Sequence, residues 1–287
     1  MSIIFSHLNY VYSSNTPLAF SALKDINLEI KDGSFTMIVG HTGSGKSTLV
    51  QQINALLTPT SGSVNVNGIE VNKEVKKLKN IKELRKTVGL VFQFPEYQLF
   101  EETILKDVSF GPKNFNYSDE ESEKLAREAL TLVGIDESLF DKSPFELSGG
   151  QKRRVAIAGI ITLKPQVLIL DEPTAGLDPQ GSRDMMELFK KIHQMGTTII
   201  MITHDMDNVI RYASDVLVMV KGEVVKACKP YELFMDEHVF SRLSIEEPLV
   251  IKTAKELNKT KKYHIPLDKV KDITSLVELI AKEKDYE

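Results

Sequence analysis

Short apolar runs broken by glycine-bearing turns dominate the first third of the chain. Residues 3–12 and 23–30 read as strands, and "IKDGSF" supplies an Asp-Gly turn into a third strand, "SFTMIVG". That strand runs directly into "GHTGSGKST" (40–48), and "KSTLVQQINALL" behind it predicts a helix. "GSVNVNGIEV" places apolar residues alternately around an Asn-Gly turn, the pattern of a hairpin. From about 100 to 145 the period becomes helical. "SDEESEKLAREALTLVG" has an N-cap at Ser118, acids in its first turn and Gly134 at its end. "QVLILDE" and "TTIIMITHD" are short β-branched runs of the kind buried in parallel sheets, with helical patterns between them. "VLVMVKGEVVKA" predicts a second hairpin. Beyond residue 230 the chain turns lysine-rich, with a proline break, and Ser275 and Glu278 have capping-box spacing for a last helix.

Composition narrows the class. At 287 residues, 42% hydrophobic and 26% charged, the chain is an ordinary globular one, large enough for one domain and a smaller appendage. Its net charge of −4 is spread over mixed acids and bases, which argues against a nucleic-acid partner. A single cysteine, Cys228, excludes an internal disulfide and fits a reducing cytosol; it reads as a small buried apolar residue. No apolar run approaches the roughly 18–20 residues that span a bilayer. The start, "MSIIFSHLNYVY", lacks the basic segment and cleavage site of a signal peptide. Any membrane role is therefore expected to come through a partner.

The candidate chemistry begins at residues 40–48, which fit G-x-x-x-x-G-K-[ST] after a strand and before a helix. Glycines there let backbone N–H groups turn inward around a triphosphate, and the helix N-terminus favours negative charge. Gly40, His41, Thr42, Gly43, Ser44, Gly45, Lys46, Ser47 and Thr48 are the candidate phosphate cradle. Lys46 is expected at the β- and γ-phosphates and Ser47 on Mg²⁺. Downstream, "VLILDEP" places Asp171 at a strand end, where it can hold Mg²⁺ through water. Glu172, one residue on, points elsewhere and is the candidate to orient and polarise an attacking water. "MITHD" sets His204 at another strand end, where its imidazole could meet the γ-phosphate.

A second anion-binding turn stands far from the first. Ser148, Gly149 and Gly150 precede the helix "QKRRVAIAGIITL", whose N-terminus again suits an anion. One domain holds one triphosphate, so the economical arrangement is two domains head to tail, each covering the other's nucleotide. With "LSGGQ" (147–151), the glycine loop, "LILDEP", "AGLD" (175–178) and "TH" (203–204) in this order, the chain closely resembles the ATP-binding cassette family over roughly residues 1–230. The resemblance implies an α/β fold: an ABC-type nucleotide-binding domain over 1–229, its P-loop core sheet joined by an antiparallel β-subdomain and a helical subdomain at about 96–162. Residues 230–287 are expected as a small C-terminal appendage, a dimerisation region or a cover for the cassette.

The resemblance also assigns roles. It implies that Gln93 reaches Mg²⁺ and water while reporting on a membrane subunit. It implies that Asp178 communicates across the dimer, that Gln151 completes the second cradle, and that Tyr12, with Tyr10 as a rival, stacks on adenine. The segment "FQFPEYQLFEETILKDVSFGPKNF" (92–115) further resembles the ATPases of energy-coupling factor importers, closer to the second of their two ATPase types. Implied with that are ATP and Mg²⁺, uptake of a vitamin or transition-metal ion, and attachment at the cytoplasmic face of the membrane. The partners implied are a second cassette ATPase (a distinct relative or another copy), a transmembrane coupling subunit docking near Gln93–Glu102, and a substrate-binding membrane component. In "FPEYQLFEE", aromatics and acids alternate, predicting an exposed apolar groove rimmed by Glu96, Glu101 and Glu102 that suits an arginine-bearing amphipathic helix. The rival readings are an ATPase of another importer type, a soluble cassette ATPase acting on DNA or ribosomes, and a non-hydrolysing regulatory subunit. The absence of a long coiled coil or a second cassette opposes the soluble cassette, and intact Glu172 and His204 oppose the non-hydrolysing subunit.

Overall fold

β1 (Ser2–Tyr12), β2 (Phe20–Lys31), β4 (Ser61–Val66) and β5 (Ile69–Asn72) form an antiparallel sheet in the order β2-β1-β4-β5 in the computed structural model, which describes residues 2–74, 80–236 and 246–284. The first two strands exceed their expected limits by one to three residues at several ends, because β1 pairs with β2 from Ser2↔Lys31 to Tyr12↔Phe20. Between β4 and β5, Asn67 (φ 54°) and Gly68 (φ 80°) make the expected tight turn, closed by a hydrogen bond from Gly68 N to Asn65 Oδ1.

A second sheet holds β3 (Phe35–Val39), β6 (Val88–Val91), β7 (Val167–Asp171), β8 (Thr198–Ile202), β9 (Asp215–Val220) and β10 (Glu223–Cys228). Its order is β10-β9-β3-β8-β7-β6, parallel throughout except for the β9–β10 hairpin. Period-two geometry divides its strands between two cores. Phe35, Met37 and Val39 enter one core and Ile38 the other; Leu168 and Leu170 oppose Val167 and Ile169, and Ile199 and Met201 oppose Ile200 and Ile202. Both faces are covered, so these strands are continuous apolar runs, each large side chain contributing about 1.5–3 kcal/mol on burial.

One core lies against the antiparallel sheet and α1 (Lys46–Ile53); the short helix α2 (Ile81–Thr87) leads into β6. The other receives α3 (Ile104–Asn114), α4 (Asp119–Leu132), α5 (Gly149–Ile161), α6 (Pro179–Gln194) and α7 (Met206–Tyr212). The helical stretch between β6 and β7 comprises α3–α5 with short 3-10 turns at Pro95–Gln98, Glu137–Leu139 and Pro144–Glu146. Ser118 caps α4 in a full capping box with Glu121.

The chain continues through α8 (Pro230–Phe234), α9 (Leu249–Lys259) and α10 (Ile273–Lys284). Val250, Ile251, Ala254, Ile265, Val270 and Leu276 join the same core as α7, so the described part of this C-terminal stretch packs on the cassette. Residues 237–245 and 285–287 of the expected appendage lie outside the described residues. The cap of α10 differs from the sequence expectation. Asp272 Oδ1 accepts from Ser275 N at 2.9 Å, and Ser275 Oγ accepts from Asp272 N at 2.9 Å. Asp272 therefore opens the helix one turn earlier, and Ser275 fills the reciprocal position rather than the cap.

Candidate active site

Parallel pairing places the carboxyl ends of β3, β8, β7 and β6 side by side, and each delivers a predicted residue there. β3 leads into the glycine loop, β8 into His204, β7 ends on Asp171, and Gln93 follows β6 by two residues.

The glycine loop is shaped by contacts within the chain. Gly45 (φ 102°) opens α1, and a Cβ on it would lie 2.6 Å from Ala22 O. A Cβ on Gly40 (φ 150°) would overlap Met219 O at 2.2 Å. His41, Thr42, Gly43 and Ser47 are exposed along the loop. Lys46 folds its ammonium onto the carbonyls of Gly40 (2.7 Å) and His41 (2.8 Å). Burial pushes its pKa below the ordinary value, while the charges of Glu172 and Asp171 pull it back up. Ser44 Oγ is buried with no hydrogen-bond partner among the described residues. A hydroxyl without a partner, inside a loop turned around its own N–H groups, fits a phosphate oxygen.

Asp171 accepts a hydrogen bond from the Ser47 side chain. Burial raises its pKa; the Ser47 bond opposes the rise, Glu172's negative charge adds to it and Lys46 again opposes. Two adjacent carboxylates, with the nearest ammonium turned onto backbone carbonyls, form an electrostatic site short of positive charge. Its donors are hard oxygens, one carboxylate and one hydroxyl, which fits Mg²⁺ completed by phosphate oxygens and water.

Glu172 leaves the strand with φ 48°, a conformation costing a non-glycine residue about 1–2 kcal/mol. Gln93 Nε2 donates to Glu172 Oε2 at 3.4 Å, and His204 Nδ1 lies 3.6 Å from the same oxygen. The His204 side chain is 75% exposed, open to whatever approaches the strand ends. Tyr12 stands at the rim, 38% exposed, its hydroxyl 3.1 Å from Thr48 Oγ1 and its ring edge-on to Tyr10. The structure thus gathers the glycine loop, Asp171, Glu172, Gln93 and His204, with Tyr12 adjoining.

Ser148 to Gln151 are not among them. Ser148 N donates to Gln151 Oε1 at 3.0 Å and Gln151 N to Ser148 Oγ at 3.4 Å, so the two residues cap their own helix, α5. Cβ atoms on Gly149 or Gly150 would meet nothing within 4 Å. Asp178 likewise caps α6: the N–H groups of Gly181 (2.8 Å) and Gln180 (2.9 Å) hold its carboxyl below the usual range.

The expected groove needs correcting. Phe94, Tyr97 and Phe100 are exposed as anticipated, but Glu96 does not rim them. Its side chain is 16% exposed and forms a two-pronged ion pair with Arg153, which is 4% exposed. Glu102 is exposed but occupied by Lys106 at 2.7 Å. Arg153 is the site-adjacent residue that the sequence reading missed. The signal was present: Arg153 lies four and eight residues before Ile157 and Ile161, a charge on the buried stripe of α5.

The ABC transporter family model matches residues 23–175, more than half of the chain. The energy-coupling factor transporter ATP-binding protein EcfA2 of Streptococcus pneumoniae serotype 2 (strain D39 / NCTC 7466) is 54% identical over 257 residues, 90% of this chain and 92% of that protein. Among solved structures, cbiO1 from Clostridium perfringens, part of the ABC transporter complex cbiONQ, aligns with a TM-score of 0.73 at 41% identity, covering 90% of this chain and 96% of that one. The ATP-binding cassette MJ0796, dimeric and bound to ADP and Pi after hydrolysis, aligns with a TM-score of 0.70 at 32% identity, covering 79% and 98%.

Proposed function

The chain belongs to the ABC transporter family, and on that premise we propose that it is the ATP-hydrolysing subunit of an energy-coupling factor importer, of the second ATPase type. The observation that carries the reading is the sharing of Glu172's carboxylate by Gln93 and His204, beside Lys46 and Asp171 at the strand ends.

In this reading, residues 1–229 are the cassette and 230–287 an appendage. Gly40–Thr48 hold the phosphates of ATP, Lys46 exchanging its loop carbonyls for phosphate oxygens, and Tyr12 stacks on adenine. Ser47, Asp171 and Gln93 hold Mg²⁺, which when bound neutralises charge on the β- and γ-phosphates. Glu172 accepts a hydrogen bond from the attacking water and aligns it, with Gln93 and His204 fixing the carboxylate. The Ser148–Gln151 turn covers the nucleotide of a second cassette, a distinct relative or another copy, and Asp178 lies at that junction. A transmembrane coupling subunit docks near Gln93–Glu102 at the cytoplasmic face, and a separate membrane component binds the cargo, a vitamin or transition-metal ion. No helix among the described residues is long and apolar enough to cross a membrane, in keeping with attachment through partners.

The test is the size of purified Glu172→Gln protein with and without excess ATP and Mg²⁺, alongside its ATPase rate. We expect bound ATP and a turnover at least about 100-fold below wild type. An ATP-dependent dimer identifies self-pairing; a persistent monomer identifies a distinct second ATPase. Turnover near the wild-type rate removes Glu172 from its role.

A further inference from the structure

Arg153 joins three segments that are distant in sequence. Nε and Nη2 donate to the two Glu96 oxygens at 3.0 and 2.8 Å. Nη1 donates to Ala175 O at 2.6 Å and Pro173 O at 3.3 Å, and the guanidinium carbon lies 5.5 Å from the centre of the Phe94 ring. A guanidinium holds its five N–H groups in one plane, so it fixes the relative placement of every acceptor it engages, which a lysine cannot do. Surface pairs contribute little, but here both partners are nearly out of water, and breaking the pair strands a charge.

The anchored segments flank the chemistry. Phe94–Glu96 begins one residue after Gln93. Pro173–Ala175 begins one residue after Glu172, and Ala175 N donates to Glu172 O at 3.1 Å. The carbonyls that Arg153 grips therefore belong to the turn that sets Glu172's kinked backbone, and the same loop runs on to Asp178. Gly176 also lies close to the Phe94 ring, since a Cβ added there would stand 3.5 Å from it. A shift of the 94–98 segment has a short, rigid route to the catalytic carboxylate.

We propose that Arg153 is a positioning residue that carries displacement of the Phe94–Gln98 segment to Glu172 and Asp178, so that turnover answers to the partner docked on that segment. The inference rests on the function proposed above. Its test compares ATPase kinetics of the complex purified from membranes with those of the free chain, for wild type, Arg153→Lys and the double variant Glu96→Gln/Arg153→Met. Arg153→Lys keeps the charge without the fork; the double variant removes both charges, so neither leaves Glu96 ionised and unpaired. The expected result in the complex is a kcat at least about tenfold lower, with KM for ATP within about twofold and at most a small fall in melting temperature from the lost pair. Variants that retain wild-type kcat and the wild-type ratio between complex and free chain overturn the inference alone. A joint fall of kcat, ATP affinity and melting temperature also overturns it, showing Arg153 to be merely structural. A wild-type complex without ATPase activity overturns the functional reading and this inference with it.

Discussion

Gly150→Ala separates what a glycine does for its own chain from what it does for a neighbour. Gly149 and Gly150 are the first two residues of α5, and neither has a positive φ. Beyond its chain neighbours and its own helix backbone, a Cβ on either meets no atom of the described residues within 4 Å, so the methyl has room there. Alanine favours a helix interior over glycine by about 0.8–1 kcal/mol, and by less in the first turn. The nucleotide-free melting temperature should therefore be unchanged or higher by about 1–3 °C. Pairing should respond in the opposite direction. If the turn's N–H groups meet a phosphate held by the second cassette, the methyl keeps that phosphate away. Losing one hydrogen bond to a charged acceptor costs about 1.5–3 kcal/mol, roughly 10–150-fold in ATP-driven association. The assay is sedimentation in a Glu172→Gln background with ATP and Mg²⁺, using the second cassette that purifies with the chain, and a thermal melt without nucleotide. Unchanged association would refute the assignment of Ser148–Gln151 to a partner's nucleotide. So would a fall in the nucleotide-free melting temperature, because the glycine would then serve its own fold.

Gly45→Ala is the contrasting case: its φ of 102° and the 2.6 Å that would separate the added Cβ from Ala22 O predict a loss of at least about 2 kcal/mol without nucleotide, read as a lower melting temperature. Burial pushes the Cys228 thiol up to about 11, so alkylation by iodoacetamide at pH 8 should be slow in the folded protein and rapid after unfolding in urea; equal rates would show an accessible thiolate. For Glu96, burial alone would raise the pKa, but the Arg153 bonds bring it below the ordinary 4.5. Its contribution is then complete above that ordinary value and is lost as pH falls through the lower folded one, so melting temperature should drop less steeply below about pH 4.5 in Glu96→Gln/Arg153→Met than in wild type.

Much of the fold was legible because its signals are local. "FTMIV" and "VLIL" are short runs of apolar and β-branched residues, and both lie in strands buried on two faces. Asn67-Gly68 and Ser118…Glu121 each specify a turn or cap within four residues, and both form. The last helix shows where local reading fails. "DITS" and "SLVE" each offer a cap with a reciprocal partner three residues on. The choice falls to Asp272, which also lies 3.5 Å from Arg211 on α7, a contact that spacing within the helix does not disclose.

The same distinction runs through the candidate site. The placement of Lys46, Asp171 and His204 was legible because each ends or follows a recognisable strand, Lys46 by way of the glycine loop, and parallel pairing brings those strand ends together. Glu96 was misread because "FPEYQLFEE" alternates like a solvated rim, whereas its partner lies 57 residues away on another element. The two glycine turns need different explanations for one composition. At Gly40 and Gly45 the missing side chain is demanded by backbone of the same chain, because an added Cβ would lie 2.2 Å from Met219 O and 2.6 Å from Ala22 O. At Gly149 and Gly150 nothing among the described residues makes that demand, while the flanking Ser148 and Gln151 cap the helix that presents them. A turn held by its own cap, yet bare where its own fold would accept a methyl, is what the proposed approach of a partner's phosphate requires, and Gly150→Ala tests that requirement.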